Sequence, residues 1–168
     1  MKSSHYGWLF CIALALLPLP TMAHSLEMKV EVVSVDDIED DHEPMFVVWL
    51  AKGKRGKEFV KTLALISEDE EYYPDLTAWF AQSQRAGEDF DAVTSATLNY
   101  EESGKFQLET GLSDQQWASG EYVLRIESSV WDGRHHKGRL LVVLNEETDG
   151  LKIKAKRKSH FETVSFSK

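Results

Sequence analysis

Apolar and polar residues alternate with a period of two along most of this chain, the periodicity of strands that cover a core with one face. "MKVEVVSV" (Met28 to Val35) alternates in its first half, until the acidic run "DDIEDDHEP" breaks the pattern. "MFVVWLA" (Met45 to Ala51) is apolar almost throughout, which predicts a strand at a sheet centre. "KGKRGK", with Gly53 and Gly56, reads as a hairpin turn, and "EFVKTLALI" (Glu58 to Ile66) as the antiparallel return. Further strands are expected in "TLNYE", "KFQLE", "EYVLRIESSVW", "RLLVVL", "LKIKAK" and "HFETVSFS". The turns between them are "ESGK", "SDQQWASG", "DGRHHKG" and "EETDG". In the longest strand Tyr122, Leu124, Ile126, Ser128 and Val130 share one face.

One segment has helical spacing instead. In "YYPDLTAWFAQSQRAG", Leu76, Trp79 and Phe80 recur after Pro74, which suits a first turn, and Gly87 is placed to stop the helix. The expectation is a short helix from Pro74 to Ala86 packing its aromatics on a sheet. Short strands at near-regular spacing with one helix define the expected fold class: mainly β, an antiparallel Ig-like β-sandwich. There is no internal repeat and no low-complexity linker.

The N-terminus changes the picture. "MKSSHYGWLFCIALALLPLPTMA" has Lys2, an apolar run from Trp8 to Leu17, helix-breaking Pro18 and Pro20, and small residues at Thr21 and Ala23. This is the layout of a secretory signal, 1–23, cleaved after Ala23. The run is about ten residues, against the roughly 20 that span a bilayer. A single domain, 24–168, remains, periplasmic and not itself membrane-embedded. Cys11 is the only cysteine and leaves with the signal, so disulfides, thiolate metal sites and cysteine nucleophiles are excluded from the domain.

Loss of Lys2 takes the formal charge from −9 to about −10, because the signal holds no acid. So acidic a surface repels phosphate backbones, and no nucleic-acid partner is expected. "LKIKAKRK" runs against that balance, with Lys152, Lys154, Lys156 and Lys158 on one side. It reads as a solvated edge strand protected by lysines, with an anion-binding face as the alternative.

Candidate chemistry is sparse. Gly-x-Ser-x-Gly and His-Glu-x-x-His are both absent. The carboxylate runs "DDIEDDHE" and "SEDEE" lack the spacing and turn glycine of a calcium loop, so no metal site is assigned there. Cleavage after Ala23 would make His24 the terminal residue, whose amine and imidazole chelate copper if a second histidine completes the site. His42, His135, His136 and His160 are the available partners; an ordinary terminus that begins with His is the preferred reading. Trp49, Trp79, Trp117 and Trp131 are expected as core and turn anchors.

Four ordered blocks, "FVVWLAKGKRGKEFVKTLALI", "YYPDLTAWF", "FDAVTSAT" and "QWASGEYVLRIESS", resemble the predicted periplasmic domain-of-unknown-function family 2271 (DUF2271). "GEYVLRIE" also resembles the Ig-like module of flagellar hook-cap proteins. Within "DAVTSAT", Asp91, Thr94, Ala96 and Thr97 are similar to the pattern on which a periplasmic flavin transferase places covalent FMN. In that pattern the final threonine carries the flavin, so the resemblance implies Thr97 as the attachment residue. Ser95 departs from it, standing where glycine is usual.

The chemistry is intelligible without the resemblance. A phosphoester needs a hydroxyl on backbone slim enough to enter another enzyme. Ser95 and Ala96 leave the Thr97 hydroxyl unshielded and let backbone N–H groups approach phosphate oxygens, while Asp91 offers a polar handle. A plain strand-entry loop is the other reading of the same residues. What the resemblance implies is an electron-transfer flavoprotein, a redox carrier rather than a catalyst, with Trp79 and Phe80 available to stack on the ring. The flavin transferase and a PepSY-type membrane reductase are the implied partners. A cofactor-free Ig-like binding or assembly module is the alternative.

Overall fold

The computed structural model describes residues 24–32, 45–67, 70–89, 104–129, 138–154 and 161–168. Eight strands are present among them: β1 (Ser25–Val32), β2 (Met45–Lys52), β3 (Glu58–Ile66), β4 (Gly104–Glu109), β5 (Tyr122–Ser129), β6 (Gly138–Val143), β7 (Lys152–Lys154) and β8 (Phe161–Ser167). They form two four-stranded sheets, ordered β4-β1-β8-β7 and β3-β2-β5-β6. Every pairing is antiparallel. The expected antiparallel β-sandwich is the fold that forms.

The alternation read from the sequence supplies the shared interior. Leu26, Met28 and Val30 of β1 and Val164 and Phe166 of β8 meet Phe46, Val48 and Leu50 of β2 and Leu124 and Ile126 of β5 in one buried cluster. Tyr122 packs against that cluster and Ser128 is buried, so the face expected for the longest strand holds over its described part. Val130 lies outside the described residues.

The apolar run of β2 has a two-sided cause. Its odd-numbered residues Met45, Val47, Trp49 and Ala51 are buried on the opposite face, with Leu65, Leu76, Trp79 and Val123. Helix α1 (Thr77–Ala86) supplies Trp79 to that cluster and covers this outer face. A strand between β3 and β5 with cover on both faces has no solvent side on which polar residues would be tolerated.

Strand β3 carries two bulges against β2. Val48 pairs with Ala64 but Trp49 with Thr62, and Leu50 pairs with Lys61 but Ala51 with Phe59. Leu63 and Val60 are therefore the extra residues, and each locally breaks the ladder and sharpens the twist. The β2–β3 turn is the one expected, with Gly53 and Gly56 at positive φ. Gly56 is required twice over. At φ +54° any Cβ is strained, and it would stand 2.7 Å from Arg125 Cδ and from Val123 Cγ2. Arg125 donates to the Gly56 carbonyl at 3.2 Å and lies 5.1 Å from the centre of the Trp49 ring. Burial lowers the pKa of its guanidinium; Glu127 opposes that effect and Arg139 adds to it.

Two local expectations are corrected. Pro74 does not open the α-helix: it lies in a 3₁₀ turn, Glu70–Asp75, and α1 starts at Thr77. Leu76 sits between them at φ −80°, ψ 63°, outside helical geometry. "SDQQWASG" is not merely a turn either, because it holds a one-turn helix, α2 (Asp114–Ala118). Ser113 and Gln116 form a reciprocal capping box around it, and Trp117 is buried in the shared core. Over its described part the lysine strand is the edge strand it was read to be: among the described residues β7 pairs only with β8, and Lys152 and Lys154 are exposed, while Lys156 and Lys158 lie outside the described residues.

Candidate functional site

Helix α1 is held at both ends by carboxylates. At its start no side chain of the helix caps the free N–H groups, since the N-cap residue is Leu76. Glu127 on β5 does so across the sheet. Its carboxylate accepts from Ala78 N and Trp79 N, each at 3.0 Å, and is itself fully buried. Arg139, its cross-strand neighbour on β6, completes the pair, donating from Nε at 2.9 Å. The Arg139 guanidinium also donates to Thr77 Oγ1 at 2.7 Å. A buried anion thus sits at the positive end of the helix.

We expect Glu127→Ala to cost about 3 kcal/mol in urea unfolding, because two N–H groups at the helix start lose their acceptor and Arg139 its partner. Glu127→Gln, which retains one acceptor oxygen, should cost less. A loss below about 1 kcal/mol in the alanine variant would show that water replaces the cap.

At the other end Gly87 (φ 69°) closes α1 with paired bonds from Gly87 N to Gln84 O and from Glu88 N to Ser83 O. Thr62, next to the bulge at Leu63, donates its backbone N–H to the Glu88 carboxylate at 2.6 Å. Glu88 also bonds the Thr62 hydroxyl, which in turn accepts from Trp79 Nε1 at 2.8 Å. The chain leaving α1 is therefore tied to β3 through Glu88, two residues before Phe90.

The attachment residues read from the sequence, Asp91, Thr94, Ser95, Ala96 and Thr97, lie outside the described residues. Their flanks are described. The segment follows Asp89, next to Glu88 where the chain is bonded to β3, and is followed by Gly104, the first residue of β4. β3 and β4 are each the outer strand of their sheet, and Lys61 of β3 donates to the Glu109 carbonyl of β4. Both flanks thus sit at the same lateral edge of the sandwich.

Other expected roles are redistributed. Trp79 is fully buried with its indole N–H satisfied by Thr62, so it is a core residue and not an exposed stacking platform. Phe80 is partly buried beside it, their ring centres 6.4 Å apart. Trp49 and Trp117 are core anchors as expected, and Trp131 lies outside the described residues.

His24 is ordered rather than a loose end. Its ring stacks on Trp117 at 4.7 Å, and Nε2 lies 2.8 Å from Asp114 Oδ1. Its backbone N donates to Leu112 O. His42, His135, His136 and His160 lie outside the described residues, as does the run "DDIEDDHE". Among the described residues no three His, Cys, Asp or Glu side chains are grouped to hold a metal ion.

A cleft of about 150 Å³ opens between the start of β3 and the second half of α1, lined by Lys57, Phe59, Gln82, Arg85 and Ala86. Sequence reasoning missed this cleft, and it missed Glu127 and Glu88. A signal for Glu127 did exist: Arg125 and Glu127 alternate with the core face of β5, beside a covering helix. Such charges call for partners, but nothing local says that the partners are the helix's own N–H groups.

A small antiparallel β-sandwich with one helix clamped across an outer face is the class these features define. The chain belongs to the family described as predicted periplasmic protein (DUF2271), whose model matches residues 25–163. Membership places it in the periplasm. Among the described residues no helix is long and apolar enough to cross a membrane. Comparison with curated proteins and with solved structures yields no match.

Proposed function

We propose that the protein is a periplasmic electron carrier that holds FMN as a phosphoester on Thr97. The reading is carried by "DAVTSAT" in a chain of a periplasmic family. The anchored exit from α1 supports it, because the bond of Glu88 to β3 fixes one flank of the acceptor segment that a second enzyme would have to reach. Attachment is a phosphoryl-type transfer from FAD. The Thr97 Oγ–P bond forms, the pyrophosphate P–O bond breaks, AMP leaves, and the hydroxyl proton passes to a base of the transferase.

Once bound, FMN supplies the redox chemistry, and the protein's part is to hold and shield the ring. Electrons would come from a membrane reductase of PepSY type. Processing after Ala23 belongs to the same reading and leaves His24 as the first residue, on its bonds to Leu112 and Asp114. A cofactor-free binding or assembly module is the second reading, favoured by the exposed Leu141 and Val143 on the outer strand β6.

The two separate in one experiment. Protein purified from a periplasm containing flavin transferase should fluoresce as a flavin in a denaturing gel and gain the mass of one esterified FMN. Colourless protein at the unmodified mass would sink the carrier and leave the module.

A further inference from the structure

The cleft between β3 and α1 has three properties that bear on what it would accept. Two cations, Lys57 and Arg85, stand on its walls, and among the described residues neither is paired with a carboxylate. That is notable in a chain of net charge −9. Phe59 gives it an apolar aromatic wall continuous with the cluster under α1. Gln82 borders it, and the Oε1 of Gln82 is buried with no hydrogen-bond partner among the described residues.

An amide oxygen left unpaired away from water costs about 1–3 kcal/mol, so a ligand that supplies a donor there recovers that cost. The terminal torsion of a glutamine is soft, and turning it presents the amide to the cleft. A carboxamide offers an acceptor and a donor side by side. Its complement is an N–H flanked by a carbonyl, on a planar group that can lie against Phe59. The two cations add a preference for a ring that carries or gains negative charge at that edge.

We infer that this cleft receives the pyrimidine-dione edge of a flavin ring, with Gln82 pairing the imide and Lys57 and Arg85 facing its carbonyl side. The inference rests on the carrier reading for the source of the flavin but not for the cleft's chemistry. The two are close along the chain: Thr97 follows Asp89 by eight residues, a reach of at most about 28 Å. Cations at that edge favour the reduced ring when it bears negative charge, so they would raise the flavin's potential.

The test uses the mature chain made without transferase, so that nothing depends on Thr97. Riboflavin should bind with saturable quenching of its fluorescence. The N3-methyl analogue, which lacks the imide proton, should bind about tenfold more weakly or worse. Gln82→Ala and the double variant Lys57→Gln/Arg85→Gln should each weaken riboflavin by a similar factor. Absence of saturable quenching up to the solubility of riboflavin would overturn the inference. So would equal binding of the methylated analogue, or indifference to both sets of variants.

Free uridine separates the sources of the shared chemistry. Equal affinity for uridine would overturn a flavin site and leave a general pyrimidine-dione site. Failure of the cleft and failure of the attachment remain distinguishable. Riboflavin binding in a protein that never labels supports the cleft and removes Thr97. Labelling of a protein that binds no free riboflavin does the reverse.

Discussion

Thr97→Val is expected to abolish covalent flavin completely while the domain stays folded. Valine keeps the branched shape of threonine and deletes the one atom that would form the proposed phosphoester, so the change acts on chemistry and not on backbone preference. Thr94→Ser should still label, because that position of the pattern accepts either hydroxyl residue. Ser95→Gly should label at least as well as the parent. If the transferase requires φ > 0 there, glycine removes a steric cost of about 1–2 kcal/mol. Mass analysis of the labelled tryptic peptide decides among these. Flavin found on Thr94 in the valine variant would move the attachment residue and keep the carrier. No label in Ser95→Gly, with active transferase present, would return the loop to a plain connection between α1 and β4.

The largest loss of stability is expected from Trp49→Ala, about 3–5 kcal/mol in equilibrium urea unfolding. Trp49 is fully buried in the central strand β2, under α1 and against Arg125. Truncation opens a cavity between two elements that cannot both collapse into it, since α1 is fixed at Glu127 and Glu88. One effect works the other way: the indole Nε1 is buried with no partner among the described residues, so its removal recovers part of the cost. The expectation therefore lies toward the lower end of the range. Trp49→Phe isolates that term, because it keeps most of the apolar ring and deletes the N–H. It should cost less than about 1.5 kcal/mol. A loss under about 1 kcal/mol for the alanine variant would mean that the outer face of β2 is not packed as described.

Binary pattern alone was enough for the β-sandwich. Alternation in β1, β5 and β8 places one face inward, and a one-residue slip would expose all of it, so the pattern fixes which face is buried. The β2–β3 turn was legible for a similarly local reason, since glycines between two apolar runs mark positive φ. Gly87 as the stop of α1 was legible too. The heptapeptide "DAVTSAT" lies outside the described residues, and the attachment proposed for it would be specified by residues that another enzyme reads.

Only the tertiary structure decided the rest. Periodicity could not say that α1 begins at Thr77 and not at Pro74, because its cap is Glu127, about 50 residues away on another element. The two bulges of β3 leave no mark in "EFVKTLALI", and neither does the bond from Thr62 N–H, beside one of them, to Glu88 that holds the exit from α1. The cleft of Lys57, Phe59, Gln82 and Arg85 joins residues from a turn, a strand and a helix that share no local pattern. Secondary structure follows from interactions between near neighbours and from which face meets water, and both are written along the chain. Caps across sheets, bulge partners and cleft walls depend on which distant groups packing brings together, and that is settled only when the sheets and α1 close on one another.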